Sequence, residues 1–188
     1  MPARSTMDAA AVIAQTRAWV EHAVVGLNLC PFAKAPMVKG QIHCVASATD
    51  DPRVLLDELC AQMQALVAAD PQQIETTLLI HPNVLGDFLE FNDFLEAADA
   101  ALVDLGYEGV LQIASFHPQY QFDGTDADDL GNASNRAPYP TLHLLREASV
   151  ERAVQAFPEA DAIVENNLRT LERLGAAGWD ALRSRWQG

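Results

Sequence analysis

Basic residues are scarce in this sequence, in which 12 Lys and Arg stand against 26 Asp and Glu, for a formal net charge of −14. No Lys or Arg occurs between Val54 and Asn135. Nucleic-acid binding depends on basic side chains that displace counterions from phosphates, so this composition argues against a nucleic acid as partner. An anionic ligand would have to bind near the few bases outside this stretch.

Cysteine and long apolar runs are also rare. Cys30, Cys44 and Cys60 are odd in number and lack Cys-x-x-Cys spacing, which argues against a disulfide framework or a cysteine zinc cluster and predicts free thiols. No apolar run approaches the ~20 residues that a membrane span requires. The N-terminus has one Arg but no apolar block, unlike a secretion signal. We therefore expect a cytoplasmic protein that does not bind membranes.

Size and composition predict one globular domain. The chain has 188 residues, of which 49% are hydrophobic, enough to bury a core without metals or disulfides. We expect residues 1–188 to form this single domain, with its core at about 8–175 and peripheral segments at 1–7 and 176–188.

Hydrophobic periodicity predicts alternating helices and strands. Strands are expected at residues 42–47, 76–80 and 110–116. Helices are expected after Asp8 and Asp51, whose side chains can cap a helix. Further helices are expected after Gly86-Asp87 and again from Thr141, with a break at Pro158 and a restart near Asp161.

This alternation predicts a three-layer α/β fold with a small, mostly parallel sheet covered by helices, because parallel strands need crossover connections. The alternative is a ferredoxin-like α+β sandwich, in which some strands pair antiparallel and a further strand lies in the long loop at residues 119–140.

Two predicted strands end in the same way, at His81-Pro82 and His117-Pro118. Ligand crevices of open parallel sheets lie beyond the carboxyl ends of the strands, so both imidazoles are candidate catalytic groups. The structural alternative is that each His caps its strand end while Pro enforces a turn.

His143 is the third candidate imidazole, on the helix expected from Thr141, where Arg146 and Glu147 would share its face. If the long loop folds over the strand ends, His81, His117 and His143 could converge with carboxylates and bind a divalent metal such as zinc, manganese or iron. No His-Glu-x-x-His spacing supports this, so the cofactor stays open.

Cys30 is a candidate nucleophile, since it follows a predicted helix and precedes Lys34 by four residues. A nearby cation would lower the pKa of its thiol, and a histidine could serve as the base. Core packing is the structural alternative, because free cysteine is often buried.

An anion pocket is the third hypothesis, in which Lys34, Arg136 and Arg146 clamp a carboxylate or a phosphate. The long loop is of the kind that often carries function. The full set of candidate ligand-binding residues is Lys34, Tyr120, Asp123, Asn135, Arg136 and Arg146.

Several segments together resemble a known family. They are Gly26-Leu-Asn-Leu-Cys-Pro-Phe-Ala-Lys34, Thr77-Leu-Leu-Ile-His-Pro82, Phe91-Asn-Asp-Phe94, Ser115-Phe-His-Pro-x-Tyr-x-Phe122 and Asn135-Arg-x-Pro-x-Pro-Thr-Leu-His-Leu-Leu-Arg-Glu147. In combination they are similar to the bacterial and plant domain-of-unknown-function family 1415, over about Thr16 to Trp179. The resemblance implies a single globular domain and no particular activity.

The leading hypothesis is a small-molecule enzyme or ligand-binding domain. Its pocket would lie at the His81 and His117 strand ends, under the loop from Tyr120 to Arg136, and a bound metal would favour hydrolysis by activated water. The alternative is a non-catalytic interaction protein whose acidic face docks a basic partner.

Overall fold

The computed structural model describes residues 8–156 and 162–187, within which four strands form one mixed sheet with helices on both faces. The strands are β1 (Ile42–Ala46), β2 (Thr76–Ile80), β3 (Leu111–Phe116) and β4 (Thr141–Arg146). The α-helices are α1 (Ala9–Trp19), α2 (Lys34–Val38), α3 (Pro52–Ala68), α4 (Phe88–Asp104), α5 (Glu147–Ala156) and α6 (Ile163–Arg183). The predicted peripheral segment 1–7, the break at Pro158 and the restart near Asp161 lie outside the described residues.

The strand order is β1-β2-β4-β3. β1 and β2 pair in parallel, with α3 as their crossover, whereas β4 pairs antiparallel with both β2 and β3. Three strands therefore run in one direction, and β4 lies between two of them in the opposite direction. The predicted α/β class is confirmed, but only one of the three strand pairs is parallel.

β4 corrects the sequence prediction, which expected a helix from Thr141. The chain leaves β3 through a loop, residues 117–140, in which the regular structure is a short 3-10 helix (Leu130–Asn135). The loop then returns to the same end of the sheet. Without a crossover helix, the next strand has to run antiparallel. The antiparallel pairing expected of the alternative fold is thus present, but the additional strand follows the loop.

Helices and sheet form three layers. On the first sheet face, α1 and α6 pack over the strands, with Trp19, Ala23, Leu78, Leu171 and Trp179 in one buried cluster. On the second face, α3 and α4 form another cluster, which includes Leu59, Phe91, Leu79, Leu142 and Leu144. Leu78 and Leu79 belong to different clusters because successive strand residues point to opposite faces.

The C-terminal segment is part of the first cluster. Trp179 and Trp186 are 6% and 3% exposed, and their rings meet edge to face with centroids 5.9 Å apart. α6 kinks at Gly175, whose φ of 68° lies in the left-handed region that favours glycine. The segment expected to be peripheral therefore contributes two buried aromatic side chains.

The predicted helix starts are confirmed by their caps. The carboxylate of Asp8 accepts a hydrogen bond from the Ala10 backbone, and Asp51 and Asp87 cap α3 and α4 in the same way. Each cap satisfies backbone N–H groups that have no partner within the helix.

The first predicted helix changes geometry partway. α1 ends at Trp19, and residues Val20–Val25 form a π-helix, hereafter the π-helical segment. Gly26 comes directly after this segment, and a Cβ added there would lie 2.3 Å from the His22 carbonyl oxygen. The wide turn therefore requires glycine at this position.

Within the described part of the chain, no helix is both long and apolar enough to cross a membrane. All three cysteines are free thiols.

Candidate ligand-binding cavity

His81 and His117, the two strand-end imidazoles, are both 0% exposed. His81 donates from Nδ1 to the Val84 carbonyl oxygen at 3.1 Å, and His117 donates from Nε2 to the Leu85 carbonyl oxygen at 3.2 Å. A carbonyl can only accept, which fixes the hydrogen on these ring nitrogens. The two rings hold the turn before α4, in which Leu85 has a φ of 57°.

Burial keeps both imidazoles neutral. It lowers the pKa of His81 to about 4 and also lowers the pKa of His117. Both rings lie against Phe91, with ring centroids 5.6 and 5.2 Å away. In this arrangement neither ring presents surface to a ligand, and the geometry is that of the structural alternative.

His143 lies on the opposite face of the sheet. It pairs with Leu78 of β2, and its ring is 5.9 Å from that of Phe116, on the side of the first core cluster. The expected convergence with His81 and His117 is therefore wrong. Among the residues that the structure describes, no group of three or more His, Cys, Asp or Glu side chains could hold a metal ion.

The long loop is closed by its own hydrogen bonds. Arg136 donates from Nε to the Tyr120 carbonyl oxygen at 3.1 Å, and its pKa is lowered by burial and by the nearby charge of Arg183. Asn135 donates to the Ser115 carbonyl oxygen, whereas Asp123 is exposed. Tyr120 packs on Phe88 with ring centroids 5.1 Å apart.

The three cations of the expected anion clamp lie apart. Arg146 donates from one Nη to the carbonyl oxygens of Leu66, Ala69 and Ile74, at 2.7 to 3.0 Å, and so caps the end of α3. Arg136 lies before β4, and Arg146 is the last residue of this six-residue strand, which is about 17 Å long. Lys34 is exposed on α2. The predicted clamp is therefore wrong.

A cavity of about 720 Å³ lies on the first sheet face, where β1, β2 and β3 begin. This is the opposite end from the strand ends where the sequence predicted a pocket. Its volume is in the range of small-molecule sites. Apolar side chains dominate the lining, including Trp19, Val20, Val24, Phe32, Ile42, Leu78, Ala114, Phe116, Leu145 and Val150. The polar lining includes Cys30, Lys39, Gln41, Glu75, Thr76, Gln112, His143, Arg146, Ser149 and Arg152.

Four parts of the chain build the walls. The strands supply the floor, and the π-helical segment supplies one side through Val20 and Val24. The turn at residues 30–36 and helix α5 supply two further walls, and α5 has no buried residue of its own. π-helical turns are frequent at functional sites, because they shift side chains out of the regular helical pattern.

His143 and Thr76 form a hydrogen-bond chain in the cavity floor. His143 Nε2 is 2.7 Å from Thr76 Oγ1, which is 2.6 Å from the Leu144 carbonyl oxygen. The carbonyl accepts the one hydroxyl hydrogen, so Nε2 carries the hydrogen that it donates to Thr76. Nδ1 of His143 then holds a lone pair with no hydrogen-bond partner among the described residues.

Burial lowers the pKa of His143 to about 4, so the imidazole is neutral at neutral pH. A neutral ring with a free Nδ1 lone pair accepts a hydrogen bond from a ligand. With that pKa it is a weak proton acceptor for general-base catalysis near pH 7.

Cys30 lines the same cavity, so the structure brings two of the predicted catalytic residues to one site. Burial raises the pKa of its thiol, and hydrogen bonds from the Phe32 and Ala33 backbones offset only part of this effect. The expected lowering by Lys34 is wrong. At neutral pH the sulfur is a thiol, which is a poor nucleophile.

Sequence reasoning missed several lining residues, among them Trp19, Thr76 and Arg152. The segment from Gly26 to Lys34 was the available signal for this side of the cavity, because Cys30, Pro31, Phe32 and Ala33 line it. These residues shape the turn that closes one side of the cavity.

The fold and the cavity define a layered α/β protein with a ligand-sized space on one sheet face. The chain belongs to the family described as "Protein of unknown function (DUF1415)", which matches residues 11–181 and confirms the resemblance seen in the sequence. No curated protein and no solved structure matches the chain.

Proposed function

We propose that this protein binds a small organic molecule in the cavity over β2, β4 and β3, with His143 Nδ1 accepting a hydrogen bond from it. The observation that carries this proposal is that a hydrogen-bond acceptor without a partner among the described residues, His143 Nδ1, lies in a cavity with an apolar floor. His143 has one ring nitrogen held by Thr76 and the other without a partner in the described chain, in a cavity of about 720 Å³. Binding sites combine an apolar lining with a few placed polar groups in this way.

The architecture around His143 supports binding rather than acid-base chemistry. Its ring is oriented by Thr76 and packs beside Phe116, so the direction of the Nδ1 lone pair is fixed before a ligand arrives. Preorganisation of this kind lowers the entropic cost of binding. The low pKa of His143 keeps that lone pair available across the physiological range.

The test is a fluorescence titration with N-phenyl-1-naphthylamine, a neutral apolar probe with one N–H donor. Ala114 lies beside His143 on β3, so Ala114→Trp should fill the cavity and abolish the fluorescence increase. Ala100→Trp makes the same change at an exposed position on α4 and should leave binding unchanged.

A second variant isolates the hydrogen bond. His143→Phe keeps an aromatic ring but removes Nδ1, and we expect the dissociation constant for the probe to rise about five- to tenfold, the effect of one hydrogen bond. Equal binding by wild type, Ala114→Trp and His143→Phe would contradict the proposal. Circular dichroism and urea unfolding show whether each variant is folded.

A further inference from the structure

The cavity gathers basic side chains in a chain that is otherwise acidic. Lys39, Arg146 and Arg152 line it, and among the described residues Glu75 is the one acidic residue in the lining. The lining thus holds three of the 12 Lys and Arg residues in the chain, but one of its 26 Asp and Glu residues. The charge of the cavity is therefore opposite in sign to that of the whole protein.

Two of these bases are free to meet a ligand. Lys39, just after α2, and Arg152, on α5, are exposed at the rim, and neither makes an ion pair with another residue in the described ranges. Within the described ranges, the side chain of Arg152 donates one hydrogen bond, to Ser149 on its own helix. Arg146 donates to backbone carbonyls, which are neutral, so its positive charge is not cancelled.

The arrangement separates two kinds of surface. The floor carries Leu78, Ala114 and Phe116 with the neutral His143, whereas the rim carries the exposed cations. A ligand that matches both surfaces has an apolar body with an acidic group at one end. A neutral ligand would leave the rim charges unused, and a cation would be repelled by them.

We infer that the ligand of this cavity is an amphipathic organic anion, whose acidic group binds between Lys39 and Arg152 while its apolar body covers the sheet face. This inference rests on the proposed function. It further predicts selectivity by charge, since an acidic group in solution would be repelled by most of the protein surface and attracted at this rim.

The test compares two fluorescent probes of nearly the same shape, 8-anilinonaphthalene-1-sulfonate, which is an anion, and the neutral N-phenyl-1-naphthylamine. The double variant Lys39→Gln/Arg152→Gln removes the rim charges. We expect it to weaken binding of the anionic probe about tenfold and to change binding of the neutral probe by less than about twofold. Arg173→Gln/Arg185→Gln removes two charges elsewhere and should affect neither probe.

The outcomes separate the two proposals. If the neutral probe binds and Ala114→Trp blocks it, but the rim variant weakens both probes equally or neither, the cavity binds ligands without preference for anions and the inference is overturned. If Ala114→Trp blocks neither probe, the proposed function itself is wrong. Weakening confined to the anionic probe in the rim variant, and reproduced in the wild type by high salt, supports the inference.

Discussion

Thr76→Val tests the hydrogen-bond chain that orients His143. The substitution keeps the shape of the side chain but removes the hydroxyl, which accepts from His143 Nε2 and donates to the Leu144 carbonyl oxygen. Thr76 is 7% exposed, so both partners lose a bond in a largely dry environment. A hydrogen bond contributes about 1 kcal/mol and an unsatisfied buried group costs about 1–3 kcal/mol, so we expect a loss of about 2 kcal/mol in unfolding free energy.

The more specific consequence concerns the position of the hydrogen on His143. In the wild type Thr76 favours Nε2–H, and without it Nδ1–H should become populated. We expect ¹⁵N NMR of the ring to report mainly Nε2–H in the wild type and a mixture in Thr76→Val. Binding of N-phenyl-1-naphthylamine should weaken in parallel, because an Nδ1–H tautomer cannot accept a hydrogen bond.

Thr77→Val is the matched control, since it makes the same change one residue along and on the opposite sheet face. It should leave the His143 ring shifts and probe binding unchanged. Wild-type ring shifts that report Nδ1–H, or identical shifts and binding in Thr76→Val, would refute the proposed orientation of His143.

Three further predictions concern stability and reactivity. Because the pKa of His81 and His143 falls from 6.5 to about 4 on folding, only the unfolded chain gains their protons as pH drops from 6.5 towards 4. Urea unfolding should therefore show a loss of about 2 kcal/mol per histidine by pH 5, and equal stability at pH 7 and pH 5 would contradict this. Gly26→Ala places a Cβ against backbone and should lower the unfolding free energy by about 1–3 kcal/mol, whereas an unchanged urea midpoint would show that the turn can relax. Iodoacetamide at pH 7.5, followed by peptide mass spectrometry, should modify Cys30 more slowly than free cysteine, since burial raises its pKa. N-phenyl-1-naphthylamine should protect Cys30 but not Cys60, which lies on the other layer, and protection of both would argue against binding in the cavity.

Local signals in the sequence predicted most elements because the physical causes are local. The helix starts at Asp8 and Asp51 follow from side chains that bond the first backbone N–H groups, and the structure shows both of these caps and a third at Asp87. The strands β1 to β3 lie within one residue of their predicted bounds.

β4 was predicted as a helix because it is covered on both faces. Leu142 and Leu144 pack against the layer of α3 and α4, while His143 and Leu145 face the cavity, so apolar residues occur on both sides of the strand. Such a run lacks the alternation of a half-exposed strand and cannot be distinguished from a buried helix by periodicity alone. Misplacing β4 also misplaced His143, since residues three apart share a helix face but lie on opposite strand faces.

The location of the cavity depended on sheet order, which the sequence does not encode locally. The insertion of antiparallel β4 between β2 and β3 places His143 beside Leu78 and Ala114. From the sequence, Cys30 and His143 were both candidate residues, but nothing in their spacing indicated that the same cavity contains them.

The most direct measurement is an isotope-filtered NMR experiment on the ¹³C,¹⁵N-labelled protein with unlabelled N-phenyl-1-naphthylamine. We predict intermolecular NOEs from the naphthyl protons to the side chains of Trp19, Leu78 and His143, which together surround the cavity. NOEs confined to residues outside this lining, at a probe concentration that saturates the fluorescence signal, would contradict the account.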